Sequence, residues 1–402
     1  MKRTTGTDRT VTAHWQLDTQ LVRGGTFRTD QDETSEAVFL TSGFSYATAE
    51  EAAARFDGRA EGFTYSRQTN PTVAMFEERM ALIEGAEVGR ATGTGMAAMT
   101  AALLCQLNAG DHVVASRALF GSCRYLIDTL LPRFGIDTTV VDGRDPAAWA
   151  AAMRPATKVA FLETPANPTL DIVDLKAVAD IAHDAGARLV VDNVFATPVL
   201  QRPLEFGADI VCYSATKHID GQGRCLGGVV LCDAAFDEEY LYPYYRHTGP
   251  ALSPFNAWVL LKGLETLRLR VEAMCANAGR VAEALAGRLE DVRYPGRPEF
   301  AQHELAMAQM RRGGSVVTFT VPGGQAPAFA FLNALEIVDI SNNLGDSRSI
   351  ATHPWTTTHK ALDEPVRREL GITPGLLRLS VGLEDPTDLI ADIAQALDRA
   401  GL

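Results

Sequence analysis

From residue 111 to residue 232 the chain alternates short runs, apolar at successive positions, with stretches whose apolar residues recur every three or four positions. The short runs are Asp111–Ser116 (DHVVAS), Asp137–Asp142 (DTTVVD), Lys158–Glu163 (KVAFLE), Arg188–Asp192 (RLVVD), Asp209–Ser214 (DIVCYS) and Gly227–Cys232 (GGVVLC). Being short and apolar on both faces, they predict parallel strands covered by helices on each side. Stretches around them, such as MAAMTAALLCQL and LKAVADIAHDAG, predict helices, the latter stopped by Gly186. Residues 61–260 therefore read as an α/β domain with a large, doubly wound, mainly parallel sheet.

The first sixty residues lack this alternation. Apart from a short helix in TAEEAAARFDG, residues 1–60 read as an arm that must pack on something else. Beyond residue 260 one helical periodicity runs through NAWVLLKGLETLRLRVEAMCANAGRVAEALAGRL, predicting a single long helix at the domain junction. GGSVVTFTV and LLRLSVG then read as strands and DLIADIAQALDRAG as a closing helix. Residues 261–402 thus form a smaller α+β domain. No repeat or Gly/Ser linker interrupts the chain, so the domains should be closely packed.

Composition narrows the function. A chain of 402 residues exceeds what one hydrophobic core organises. Apolar residues at 46% and charged residues at 22% are an ordinary soluble balance. A net charge of −13 argues against nucleic acid or an anionic membrane as partner. No run approaches the roughly 20 apolar residues that span a bilayer. The basic residues near the N-terminus have no apolar stretch behind them, so a cytoplasmic protein is expected. The six cysteines form no CxxC pair and read as buried, reduced thiols. His353 and His359 in HPWTTTH lack the helical spacing of a zinc site, so no metal is expected.

Chemistry enters at YSATKHIDGQGR, from Tyr213. The lysines are Lys2, Lys158, Lys176, Lys217, Lys262 and Lys360, and Lys217 alone follows the carboxyl end of a central strand. In open α/β sheets that edge is where ligands bind. Asp192 ends its own strand at the same edge, and Ser214 and Thr216 supply hydroxyls beside the lysine. Ala91-Thr-Gly-Thr-Gly-Met-Ala97 opens a helix with glycines, an N-terminus suited to an anion. Its spacing does not fit the GxGxxG of a dinucleotide site. A lysine of lowered pKa, a buried aspartate and a phosphate cradle suit pyridoxal phosphate: the lysine links to it, the aspartate keeps its ring nitrogen protonated, and the helix end takes the phosphate.

Six motifs then occur in order: YSRQTNPT (Tyr65–Thr72), TGM (Thr94–Met96), ETPANPT (Glu163–Thr169), VDNVFATP (Val191–Pro198), SATKH (Ser214–His218) and RLSVGLED (Arg378–Asp385). From about residue 15 onward the chain resembles the Cys/Met-metabolism pyridoxal-phosphate enzymes, the cystathionine γ-synthase-like group of fold type I. The resemblance implies that Lys217 is the cofactor lysine and general base and Asp192 the partner of the ring nitrogen. It puts Gly95, Met96, Ser214 and Thr216 on the phosphate and Asn167 on the ring hydroxyl. Tyr65, counted with Lys217 as catalytic, and Arg67 would reach the phosphate of a neighbouring subunit. The implied assembly is a homotetramer, a dimer of dimers with shared active sites, in which the arm of residues 1–60 lies across a neighbouring subunit. Arg378 would clamp the substrate α-carboxylate.

Two departures refine the resemblance. Where many members carry a ring-stacking tyrosine, LFGSC has Phe120, which keeps the stacking and loses the phenol. Where a serine usually precedes LGD, ISNNLGD has Asn343, read as facing the substrate. FGSC, GQGRCLGG and SNNLGD together look like the O-succinylhomoserine sulfhydrylase branch, which implies γ-replacement on an acylated homoserine by sulfide. Arg124 in LFGSCRYL is the candidate for the distal carboxylate of a succinyl group, with Arg59 or Arg246 next. The rivals are an O-acetylhomoserine sulfhydrylase, a cystathionine γ-synthase, a methionine γ-lyase, and a non-catalytic protein that keeps the cofactor.

Overall fold

The computed structural model describes residues 2–3 and 5–402; of the arm expected over residues 1–60, residues 1 and 4 lie outside the described residues. The chain divides into two compact units. One comprises Met1–Gln106, Cys212–Thr216 and Arg224–Thr266; the other comprises Leu107–Val211, Lys217–Gly223 and Leu267–Leu402.

The large sheet has seven strands: β1 (Val88–Thr92), β2 (His112–Ser116), β3 (Asp137–Val141), β4 (Thr157–Glu163), β5 (Arg188–Asp192), β6 (Ile210–Ser214) and β7 (Gly228–Cys232), in the order β1-β7-β6-β5-β4-β2-β3. β4 pairs in parallel with β2 and β5, and β2 with β3. Every apolar run of the middle region is a strand here, displaced by at most one residue at each end. β7 is not parallel to its outer neighbour: it pairs antiparallel with β1, from Val88↔Cys232 to Thr92↔Gly228. The segment VGRAT has no apolar run to announce it: its buried positions are Gly89, Ala91 and Thr92. Arg90 on it is tied to Asp237 through Nε at 2.8 Å.

The expected long helix is two helices, Pro254–Leu264 and Leu267–Ala286. The break falls at Glu265-Thr266, where Thr266 N turns back to Gly263 O at 3.4 Å. Apolar spacing continues across the break because each helix buries a stripe, and periodicity does not register a two-residue interruption. The short helix expected in the arm is Ala49–Phe56, capped by Thr48, whose side chain accepts from Glu51 N. Further arm residues are tied to helix Pro71–Glu84, whose fully buried Arg79 donates to Gly24 O at 2.8 Å and to Glu36 at 3.0 Å.

The smaller sheet has five strands: β8 (Val292–Arg293), β9 (Val316–Thr320), β10 (Asp339–Ile340), β11 (Ile350–Thr352) and β12 (Leu376–Ser380), in the order β8-β9-β12-β11-β10. One face is a core of Val317, Phe319, Leu377 and Leu379 against Val281 and Ala282 of one helix and Leu389 and Ile393 of the closing helix Pro386–Arg399. Side chains alternate across a strand, so Arg378 and Ser380 of β12 turn to the other face. That face carries chemistry. Among the described residues no helix is long and apolar enough to cross a membrane.

Candidate active site

Two carboxylates stand at the carboxyl ends of neighbouring parallel strands. Glu163 ends β4, Asp192 ends β5, and the two are register partners. Lys217 follows β6 by three residues, on a short turn. Its Nζ donates to Asn343 Oδ1. Burial, helped by the nearby Arg378 and opposed by Asp192, brings the amine down to about 8. Burial lifts Asp192 to about 7, against the pull of the Val194 N–H at 3.1 Å and of Lys217. An amine and a carboxyl group that both titrate near neutrality are suited to proton transfer.

The turn that carries Lys217 is held from several sides. Gly221 N donates to Lys217 O at 2.8 Å, and Arg270 Nη1 to His218 O at 2.7 Å. His218 Nε2 bonds Ser315 Oγ at 2.8 Å, and burial keeps this imidazole uncharged, at about 3. Gly345, at φ 71°, passes so close that a Cβ there would lie 2.7 Å from His218 N. Only glycine fits that position. The NLGD segment is therefore packed against the lysine turn.

Arg378 is buried between its sheet neighbours Thr318 and Thr352. Nη1 donates to Asn167 Oδ1 at 2.9 Å, and Nη2 to the carbonyls of Asn342 and Asn343, each at 2.9 Å. Nε is buried with no partner. Burial lowers this guanidinium to about 10, with Glu163 opposing. Its two terminal nitrogens are thus oriented by backbone and amide oxygens, with donor capacity left over. Burial and the nearby Arg378 hold His359 at about 4.

The glycine-led helix forms at Gly95–Leu104. Thr94 caps it by accepting from Ala97 N at 3.0 Å. A Cβ on Gly95 would lie 2.5 Å from Ser214 Cβ, so the helix start rests directly on Ser214. Thr216 Oγ1 accepts from Gly227 N at 3.1 Å. Tyr65 and Arg67 stand together: the Arg67 guanidinium lies 5.5 Å over the Tyr65 ring and donates to Arg246 O, and Tyr65 is 43% exposed. Arg124 is engaged with Asp128, Nη2 to Oδ2 at 2.8 Å, and with Arg117 O at 3.3 Å. No described bond brings it to Lys217.

Lys217, Asp192, Asn167, Asn343 and Arg378 thus gather in one unit, and Gly95, Met96, Ser214 and Thr216 belong to the other, where the helix start rests on Ser214. Sequence reasoning missed Glu163 and His359. Glu163 could have been found, since it ends a strand as Asp192 does. A lysine held near 8, a carboxyl group near 7 and an arginine with a buried unpartnered nitrogen fit a phosphorylated pyridine aldehyde and an amino-acid carboxylate.

Comparison with known proteins gives the family. The family model described as Cys/Met metabolism PLP-dependent enzyme matches residues 18–398. The chain is 51% identical over 382 residues to an O-succinylhomoserine sulfhydrylase of Mycobacterium tuberculosis, covering 94% of each chain. It is 49% identical over 383 residues to an O-succinylhomoserine sulfhydrylase of Pseudomonas aeruginosa, covering 95% of each. Among solved structures it is similar to an O-acetylhomoserine (thiol)-lyase of Campylobacter jejuni that carries a pyridoxyl-lysine monophosphate. That likeness has a TM-score of 0.92 and 30% identity over 96% of this chain and 100% of that one.

Proposed function

The chain belongs to the Cys/Met metabolism PLP-dependent enzymes, and on that premise we propose that it converts O-succinyl-L-homoserine and sulfide into L-homocysteine and succinate. The observation that carries this reading is identity at about half of all positions, along nearly the whole chain, with enzymes of that activity. In the reaction the bond from the γ-carbon to the succinate oxygen breaks and a carbon–sulfur bond replaces it, without net oxidation.

Bound pyridoxal phosphate supplies the electron sink for carbanion chemistry at the substrate's α and β carbons. Lys217 would hold the cofactor, and its amine would take the proton from Cα and return protons to the substrate carbons. Its amine near 8 supports that role. Asn343 orients the amine through Oδ1. Asp192 keeps a proton on the ring nitrogen. Arg378 binds the α-carboxylate, a role supported by its oriented nitrogens and its unpartnered Nε. Asn167 meets the ring hydroxyl and Phe120 covers the ring. Gly95, Met96, Ser214 and Thr216 hold the phosphate, helped by Tyr65 and Arg67 of a neighbouring subunit in a homotetramer. Arg124 takes the distal carboxylate of the succinyl group by exchanging its bond to Asp128.

Purified enzyme offered O-succinyl- and O-acetylhomoserine, each with sulfide or cysteine, decides the reading. Homocysteine from the succinyl ester and sulfide as the fastest product is expected. Cystathionine as the main product would reassign the enzyme to the synthase reaction, and 2-oxobutyrate formed without a thiol would reassign it to a lyase.

A further inference from the structure

Glu163 takes part in none of these roles, yet it is the carboxyl group nearest in register to Asp192. It is 2% exposed. Register partners on parallel strands send their side chains to the same face of the sheet, so the two acids share one side of the strand ends. Both Glu163 oxygens are used: Oε2 accepts from Phe120 N at 2.7 Å and Oε1 from Asn167 N at 3.0 Å. Those residues belong to different segments, one opening the helix Gly121–Tyr125 and the other on the loop after β4. The Asn167 loop has a further tie, Thr318 Oγ1 to Pro168 O at 2.6 Å. The Phe120 side chain makes no capping bond, and its N–H, at the start of the helix, is taken by Glu163.

Burial and the charge of Asp192 push the Glu163 carboxyl well above the carboxylate range, while the two N–H groups and Arg378 pull it back. What the position uses is geometry: two oxygens side by side, each within hydrogen-bond distance of a different backbone N–H.

We propose that Glu163 is a positioning residue: by accepting Phe120 N–H and Asn167 N–H on its two oxygens, it sets the spacing of the two side chains that flank the cofactor ring. The proposal rests on the roles given above to Phe120 and Asn167. Glutamine is the sharp probe, because it keeps the shape and replaces one acceptor by an NH₂ group that faces an N–H.

The test uses the holoenzyme and Glu163→Gln, Asn167→Ala and the double variant, with cofactor dissociation and the visible absorbance band as readouts. E163Q is expected to weaken cofactor retention about 10-fold, the scale of one lost buried acceptor, and to displace the visible band. In the double variant the two losses should not multiply, since Glu163 acts partly through Asn167. Retention and band unchanged in E163Q, or losses that multiply fully, overturn the proposal. Amide exchange on the unsubstituted apoprotein needs no variant: Phe120 and Asn167 N–H should exchange as slowly as the β4 backbone. Fast exchange at both overturns the proposal even if E163Q does not fold. Lys217→Ala is the control for the underlying reading. A band that survives in K217A sinks the cofactor assignment itself, whereas a normal E163Q beside a bandless K217A sinks only the role of Glu163.

Discussion

At pH 7 an ordinary lysine has well under a thousandth of its amine uncharged, whereas an amine near 8 has roughly a tenth. Only the uncharged amine attacks an aldehyde. Reloading of apoprotein with pyridoxal phosphate should therefore quicken as pH rises through about 8, followed by the growth of the visible band. A midpoint near that of free lysine would remove Lys217 as the attacking group. Asp192 opposes the lowering of Lys217. Asp192→Asn should thus shift the loading midpoint down while slowing turnover, because the ring nitrogen loses its proton partner. Selectivity is also decided at single residues. Arg124→Ala should weaken use of the succinyl ester about 10- to 100-fold, the scale of one charged hydrogen bond, and leave the acetyl ester unchanged. Equal loss on both esters would assign Arg124 to its helix ion pair with Asp128.

Helix Pro71–Glu84 carries a buried acid of its own. Burial lifts Glu77 to about 7, against Arg90 and the Ala91 N–H at 2.7 Å. Its folded pKa lies above its unfolded one, so the folded state holds a proton that the unfolded chain releases between about 4.5 and 7. Stability is whole below that window and falls as pH rises through it, by up to about 3 kcal/mol at pH 8. Glu77→Gln keeps an acceptor for Ala91 N and cannot ionise. Its melting temperature should exceed the parent's at pH 8 and match it near pH 4; an equal difference at both would remove Glu77 as the cause. The elements themselves differ in how far they could be read from the chain. The inner strands are legible because burial on both faces leaves an uninterrupted apolar run, whereas β3, at the edge, is only partly buried. β1 is hidden because its residues, VGRAT, hold no run of large apolar side chains, and the break after Leu264 is hidden because both helices keep the same apolar spacing.

At the scale of the whole molecule, the groups assigned to the phosphate come from separate places. Tyr65 is exposed, and Arg67 bonds Arg246 O of its own chain. In the proposed assembly this pair completes a neighbour's site. Mixing Arg67→Ala subunits with Lys217→Ala subunits, each nearly inactive alone, should then recover part of the lost turnover, because some mixed pairs hold one intact site. Subunit exchange confirmed by mass, with no recovery of turnover, would mean that Arg67 acts within its own chain.

By itself the sequence determined the strand–helix alternation, the lysine past β6, the aspartate that ends β5, and the family through six motifs in order. These are local in the chain: each depends on burial pattern or spacing within about ten residues. Only the tertiary structure decided that Glu163 bridges Phe120 and Asn167, that Arg270 and Gly345 lock the lysine turn, and that Arg378 is oriented by Asn342 and Asn343. The bond from Lys217 to Asn343 joins residues 126 positions apart, and that from Arg378 to Asn167 residues 211 apart. The physical reason is that a buried polar group must find its partner wherever packing brings one, and linear spacing carries no record of which distant segment packing will bring.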